Sequence, residues 1–292
     1  MKAFLITALL HLLAALPLRL AQGVGAGLGR LLGRLPGDMR RNTRINLEHC
    51  LPDLPARERE RLARASLVET GRTLAELGAM WLWPSERLLS RVREVRGWEQ
   101  VEAAQAAGRG VIFLSPHLGA WELGSLYMAR HYPVTALYRP LRVPGLDALV
   151  RAARERTGAT LMPTDASGVR SLYRALERGE TVGILPDQEP GSGGGIFAPF
   201  FGHPANTMVL VSRLASRSGA VVLFCVPERL PRGRGFRLNF TPAPAAVSAA
   251  DLNRSVAAMN AGVEAWVRRL PAQYLWSYKR FKSRPEGEPR WY

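Results

Sequence analysis

Two residues in the run Ser115-Pro-His-Leu-Gly-Ala-Trp-Glu122 have the types and the spacing for proton transfer: His117 and, five positions later, Glu122. An imidazole titrates near neutrality. A carboxylate on one ring nitrogen fixes the tautomer and stabilises the cation, leaving the other nitrogen to take a proton from a hydroxyl. Five residues of regular helix turn the chain by about 500°, so two mid-helix side chains at this spacing point roughly 140° apart. The pair meets only if His117 lies in a loop or the first helical turn, and Pro116 before it favours that placement. Spacing alone leaves a structural histidine open. With five histidines and 24 carboxylates in 292 residues, one such match is close to chance.

The surrounding elements must supply the geometry. Short apolar runs at Val111 to Ser115, Val134 to Tyr138, Ala159 to Met162, Thr181 to Leu185 and Ala220 to Val226 read as strands. Leu118 to Arg130, Leu146 to Thr157, Ser167 to Arg178 and Thr207 to Ser218 read as helices between them. This alternation predicts an α/β fold with a mostly parallel sheet flanked by helices. Phe236 to Phe240 is expected to pair antiparallel with the strand at 220–226. Val247 to Leu270 reads as a final helix ended by Pro271, and Asp53 to Met80 as a helical lead-in. Ligands of such sheets bind outside the carboxyl ends of the strands. His117, Arg139 and Asp187 with Gln188 each follow a predicted strand there, and Arg154 lies on the next helix.

Composition bounds the partners. The formal net charge is +16, and all but three of the 40 basic residues are arginine. Arginine grips phosphate and carboxylate with a planar fork, so this excess suits an anionic membrane, a phosphorylated substrate or an acidic carrier protein, although a GC-rich genome produces the same bias. Nucleic acid is disfavoured, because no basic run is interleaved with aromatics. Cys50 and Cys225 stand in no disulfide or metal-ligand spacing. Ala3 to Leu20 is almost wholly apolar, about long enough to cross a bilayer, with a cleaved signal peptide as the rival reading. Arg30, Arg34, Arg40, Arg41 and Arg44 follow it and favour retention on the cytoplasmic side. Gly23 to Leu35 extends it as an interfacial helix. The expectation is a membrane-anchoring segment over 1–35 and one catalytic domain over 36–292.

The whole run from Gly108 to Leu123 resembles the acyltransferase motif of the late acyltransferases of lipid A biosynthesis, the lauroyl and myristoyl transferases of the lysophospholipid acyltransferase superfamily. Further segments match in order: Tyr138-Arg-Pro140, Arg154-Glu-Arg-Thr-Gly158, Gly183-Ile-Leu-Pro-Asp-Gln188, Ala198-Pro-Phe-Phe-Gly202 and Arg280-Phe-Lys-Ser-Arg-Pro-Glu-Gly287. The resemblance covers nearly the full chain. It implies a glycerol-phosphate-acyltransferase-like fold at the inner membrane, and neither a metal nor an organic cofactor. The implied reaction moves a fatty acyl chain from acyl carrier protein, or acyl-CoA, to a hydroxyl of a lipid A precursor.

In that setting His117 is the expected general base with Glu122 as its partner. Backbone N–H groups at the start of the following helix, Arg139 or Arg154 would hold the oxyanion or a sugar phosphate; the two arginines also fit surface ion pairs. Asp187 and Gln188 would bind substrate, with capping of the turn before Gly191 to Gly195 as Asp187's alternative. Phe200 and Phe201, with Phe197, would line an acyl channel or pack in the core. The cluster from Trp276 to Arg284 suits either a membrane interface or a packed tail. One departure stands out: Ala120 occupies a position where the family commonly has asparagine. Rival functions are acylation of another membrane glycolipid or aminolipid, and a lipid-binding protein with a degenerate site.

Overall fold

The apolar N-terminus does not run on as one helix. Proline lacks a backbone N–H and fixes its own φ, and at Pro17 the chain breaks into α1 (Lys2–Ala15) and α2 (Leu18–Arg34). The 14 residues of α1 rise about 1.5 Å each, which falls short of the roughly 30 Å of a hydrocarbon core. Among the described residues no helix is long and apolar enough to cross a membrane, so the expected anchor is left unconfirmed. The computed structural model describes residues 2–141, 143–191 and 193–292.

Instead both helices lie against α4. α3 (Asp38–Cys50) and α4 (Ala56–Leu82) form the lead-in, and the short α5 (Ser85–Leu89) joins it to the sheet. Apart from buried Leu18 and Gln22, α2 turns its small residues inward and its large ones outward. Ala21, Gly25, Ala26 and Gly29 are buried, whereas Leu20, Val24, Leu28, Leu31 and Leu35 are exposed. The inward side permits close approach: a Cβ on Gly71 of α4 would collide with the backbone of Gly25 and Gly29. α1 buries Leu10, Leu13 and Ala14 and exposes Phe4, Leu5, Leu9 and Leu12. Gly71→Ala is expected to cost about 1–3 kcal/mol, because two backbones rather than a flexible side chain must yield. A melting curve and limited proteolysis read this, and a variant as stable and protease-resistant as the parent at the α1–α2 segment refutes it.

The sheet follows in the expected alternation: β1 (Val92–Arg96), α6 (Trp98–Ala106), β2 (Val111–Leu114), α7 (Trp121–His131), β3 (Val134–Tyr138), α8 (Pro144–Glu155), β4 (Ala159–Pro163), α9 (Ala166–Glu177) and β5 (Thr181–Ile184). Then come the hairpin β6 (Gly195–Phe200) and β7 (His203–Met208), α10 (Leu210–Ser218), β8 (Val221–Arg229), β9 (Phe236–Pro242) and α11 (Leu252–Arg269). Seven strands pair in the order β1-β9-β8-β2-β5-β3-β4. All pairs are parallel except β8 with β9, which is antiparallel as the sequence predicts. β2 is buried along its whole length because both faces are covered. Its alternate residues serve opposite layers: Ile112 and Leu114 join the core with α9, α10 and α11, while Val111 and Phe113 join the core with α1, α4 and α7.

Two boundaries move for local reasons. Thr207 and Met208 close the hairpin, so α10 starts at Leu210 rather than at Thr207. α11 starts after Asp251, whose carboxylate caps it by accepting the Arg254 N–H at 2.7 Å, and Ala245–Ser248 forms a separate short turn. The C-terminal cluster packs inward: Trp276, Arg280 and Phe281 are buried. Asn46 of α3 holds this tail through the carbonyls of Trp276 and Tyr278, at 2.6 and 2.8 Å.

Candidate active site

His117 lies three residues past the end of β2, and Asp187 three residues past the end of β5. These strands are parallel neighbours with Leu114 beside Ile184, so two chains leaving from matched positions travel side by side. The Ser115 N–H still reaches the Ile184 carbonyl at 2.9 Å. Asp187 consequently meets the histidine twice. Its Oδ1 is 2.8 Å from His117 Nδ1, and its Oδ2 accepts the His117 backbone N–H at 2.9 Å. With Nδ1 donating to the carboxylate, Nε2 carries the lone pair, and the Gln188 amide lies 3.1 Å from it. The Trp121 ring closes a further side, 5.1 Å from the imidazole between centroids.

Asp187 is almost wholly buried. Burial pushes its carboxyl upward, but the His117 ring, the His117 N–H donors and the Arg280 charge outweigh it and hold the group below the ordinary carboxylate range. The same surroundings act oppositely on Tyr274 nearby. Burial and the Asp187 charge push that phenol well up, so it stays protonated.

The expected pairing of His117 with Glu122 is replaced. His117 does sit in the loop before α7, but Glu122 in the first turn of that helix gives both carboxylate oxygens to Arg154 of α8. Arg154 Nε is 3.0 Å from Oε2, and its terminal nitrogen bonds Oε1. Local spacing is overridden by the register of β2 and β5, which delivers a carboxylate from 70 residues away to Nδ1. Capping is not Asp187's part, since both its oxygens face His117. The Gly191 to Gly195 loop includes Ser192, which lies outside the described residues.

The loop carrying His117 is fixed by its carbonyls and amides. Leu275 N–H donates to His117 O at 3.0 Å, Gly119 N–H to Gln273 O at 3.0 Å, and Ala120 N–H to Pro227 O at 2.8 Å. Gly119 has φ +64°, and a Cβ there would run into the Pro227 carbonyl. These bonds also use two of the N–H groups expected to serve an oxyanion. Ala120 stands at the N-cap of α7 without a side-chain cap, an arrangement about 1 kcal/mol weaker than an asparagine cap.

Of the other expected site residues, Arg139 follows β3, the neighbour of β5, and is exposed. Its guanidinium faces the loop at Gly191, where a Cβ would come within 3.9 Å. Phe200 and Phe201 are buried against Tyr274, Trp276 and Phe281, positions of packed core, whereas Phe197 is exposed. Arg280 was missed as a site residue. Its guanidinium, 2% exposed as a residue, donates to Asn206 O and Thr207 Oγ1 at 2.6 Å each and lies over the Phe200 ring. Among the described residues it has no carboxylate within ion-pair distance, so its field reaches Asp187 undiminished by a closer partner. The available signal was its place at the head of the matched segment Arg280 to Gly287.

A family profile described as bacterial lipid A biosynthesis acyltransferase matches residues 1–283. The chain belongs to that family. The acyltransferase is 33% identical over 258 residues to the lipid A biosynthesis lauroyltransferase of Escherichia coli K12, covering 87% of this chain and 83% of the relative. It is 35% identical over 256 residues to the palmitoleoyltransferase of the same organism, covering 85% and 80%. The myristoyltransferase of that organism is more distant, at 28% over 254 residues, covering 85% and 77%. This lipid A acyltransferase is therefore an enzyme of acyl transfer in lipid A biosynthesis.

Proposed function

We propose that His117 is the general base of this acyl transfer and that Asp187, rather than Glu122, orients it. The observation that carries this is the buried carboxylate on Nδ1 with Nε2 left facing Gln188. In the reaction, a hydroxyl of the lipid A precursor replaces the Gln188 amide at Nε2. Nε2 takes its proton as the oxygen attacks the thioester carbonyl. The C–S bond then breaks, and the imidazolium returns the proton to the leaving thiolate. Asp187 stays ionised throughout and stabilises the imidazolium. Arg139 at the end of β3 supplies positive charge for the oxyanion or an anionic group of the acceptor, and Arg154, its charge balanced by Glu122, fixes the start of α7 beside the histidine loop.

The donor in this reading is acyl carrier protein, because an acidic carrier complements a chain of net charge +16. The membrane is met edgewise. α1 and α2 lie in the bilayer surface with Phe4, Leu5, Leu9, Leu12, Leu20, Val24, Leu28 and Leu31 in the acyl region and the Arg19, Arg30 and Arg34 side chains at the head groups, on the cytoplasmic side of the inner membrane. Large apolar residues turned outward on two adjacent helices support this, since an aqueous surface gives them no partner.

Purified enzyme given a lipid A precursor with either acyl carrier protein or coenzyme A thioesters tests the proposal. Faster transfer from the carrier protein, falling with added salt, is expected. Equal rates from both donors, without salt dependence, would refute the carrier assignment. No acylation of the precursor by either donor would refute the acceptor.

A further inference from the structure

A cavity of about 170 Å³ opens between α2, α4 and the turn joining β8 to β9, and none of its lining residues belongs to the histidine loop. It is lined by Arg19, Gln22, Arg72, Arg229, Arg232 and Gly233. One water needs about 10–15 Å³, so the space takes a group much larger than a single water. Four arginines line it. The opposing carboxylates are Glu69, bonded by Arg72 and Arg229, and Glu76, bonded by Arg229 and Gln22. Two positive charges remain in excess, and Arg19 and Arg232 at the mouth have no ion-pair partner among the described residues.

The cavity is built rather than incidental. Its back wall, Arg229, is 4% exposed and locked by the two carboxylates and by Thr73 Oγ1 at 2.9 Å. Its front wall is the turn at Pro231–Gly233, where Arg232 adopts φ +60°, a left-handed conformation that costs a non-glycine residue about 1–2 kcal/mol. That turn packs on the stem of Arg19 so tightly that a Cβ on Gly233 would come within 2.7 Å of the Arg19 Cβ. Strain held at a residue lining a charged cavity is a common mark of a ligand clamp. Leu20 and Val24, both exposed, lie on α2 one position after Arg19 and Gly23, which line the cavity.

We propose that this cavity seats the phosphate of an anionic membrane phospholipid, with the lipid's acyl chains lying along Leu20 and Val24. The inference rests on the reading above that α1 and α2 lie in a bilayer. Guanidinium forks bind phosphate oxygens in pairs, and the neighbouring leucine stripe is where chains leaving a captured head group must run. Arg229 connects the cavity to catalysis, since its guanidinium also lies 3.5 Å from the Gly119 carbonyl, two residues from His117.

Sedimentation with vesicles tests this. The intact chain is mixed with phosphatidylcholine vesicles, with or without a minor fraction of phosphatidylglycerol. Arg19→Ala/Arg232→Ala is compared with the charge-matched pair Arg213→Ala/Arg217→Ala on α10. The cavity pair is expected to lose about tenfold of the phosphatidylglycerol-dependent affinity while the control pair loses less than about twofold, and binding to pure phosphatidylcholine is unchanged. Equal losses in both pairs would mean a diffuse positive field and overturn the site, as would no loss in either. Inorganic phosphate is expected to release the protein from these vesicles better than chloride at matched ionic strength, and equal release by the two salts would overturn a phosphate seat. Absence of binding even to phosphatidylcholine overturns the seating of α1 and α2 and this site with it, whereas retained phosphatidylcholine binding without a phosphatidylglycerol effect overturns this site alone. His117→Asn must bind vesicles like the parent, whatever its turnover.

Discussion

Replacing His117 by asparagine is expected to lower acyl transfer by about 10²- to 10⁴-fold while the protein keeps its melting temperature within a few degrees. Asparagine places an amide nitrogen near the position of Nδ1, so the donation to Asp187 survives and the proton acceptor at Nε2 disappears. Alanine is the poorer choice, because it strands the buried Asp187 carboxylate and mixes instability with lost chemistry. Asp187→Asn should fall to a similar rate, and the double variant should be little worse than either single one, as for two groups acting as a unit. Glu122→Gln is expected to be non-additive with Arg154→Ala instead. If Glu122→Gln matched His117→Asn and combining them cost nothing more, Glu122 would be acting on the imidazole and the assignment to Asp187 would be wrong.

The pH dependence follows from the direction of the Asp187 shift. Its folded value is depressed, so the stability it contributes is complete above the ordinary aspartate value of about 3.9 and is lost as pH falls through the lowered value. Asp187→Asn should remove that late acid loss. A parent and a variant with the same acid unfolding curve would contradict the shift.

The largest effect on stability is expected at Arg229→Met, a loss of about 3–5 kcal/mol, because the side chain of Glu76 is 1% exposed and would be left charged without its partner. Burial and the charges of Glu76 and Glu69 compete on the guanidinium, and the carboxylates prevail, raising its affinity for the proton. Glu76→Leu added to Arg229→Met removes the stranded charge and should restore part of the loss at neutral pH. Thermal melts of the parent and both variants measure this, and a double variant no more stable than Arg229→Met excludes a stranded carboxylate as its cause.

Periodicity carried most of the sheet. Val111 to Leu114 and Thr181 to Ile184 are short, mostly apolar runs without a charge, and such runs bounded by turns have few other uses. Val92 to Arg96 escaped because Arg93, Glu94 and Arg96 leave it only two apolar residues, at a sheet edge where one partner strand suffices. The hairpin of Gly195–Phe200 and His203–Met208 was masked by Pro199 and Pro204, which a two-stranded ribbon tolerates and a central strand does not. At the site, His117 was legible from its strand and its preceding proline. Its partner was not, since nothing local to Asp187 reveals that the two strands are neighbours in matched register. The helical break at Pro17 was visible, but its consequence depended on Gly71, a residue of another helix.

The inverted packing of α2 bears on how this protein can be handled at the bench. Shortening the chain to begin at residue 36 looks like the obvious way to obtain a detergent-free enzyme. Yet the removed piece is also a wall of the interior: its departure would bare the groove around Gly71 and Gly78 and take Gln22 from the buried Glu76. Trimming would exchange one sticky surface for another. Substituting glutamine for outward leucines such as Leu28 and Leu31, with the glycines left in place, is the gentler route to a soluble preparation.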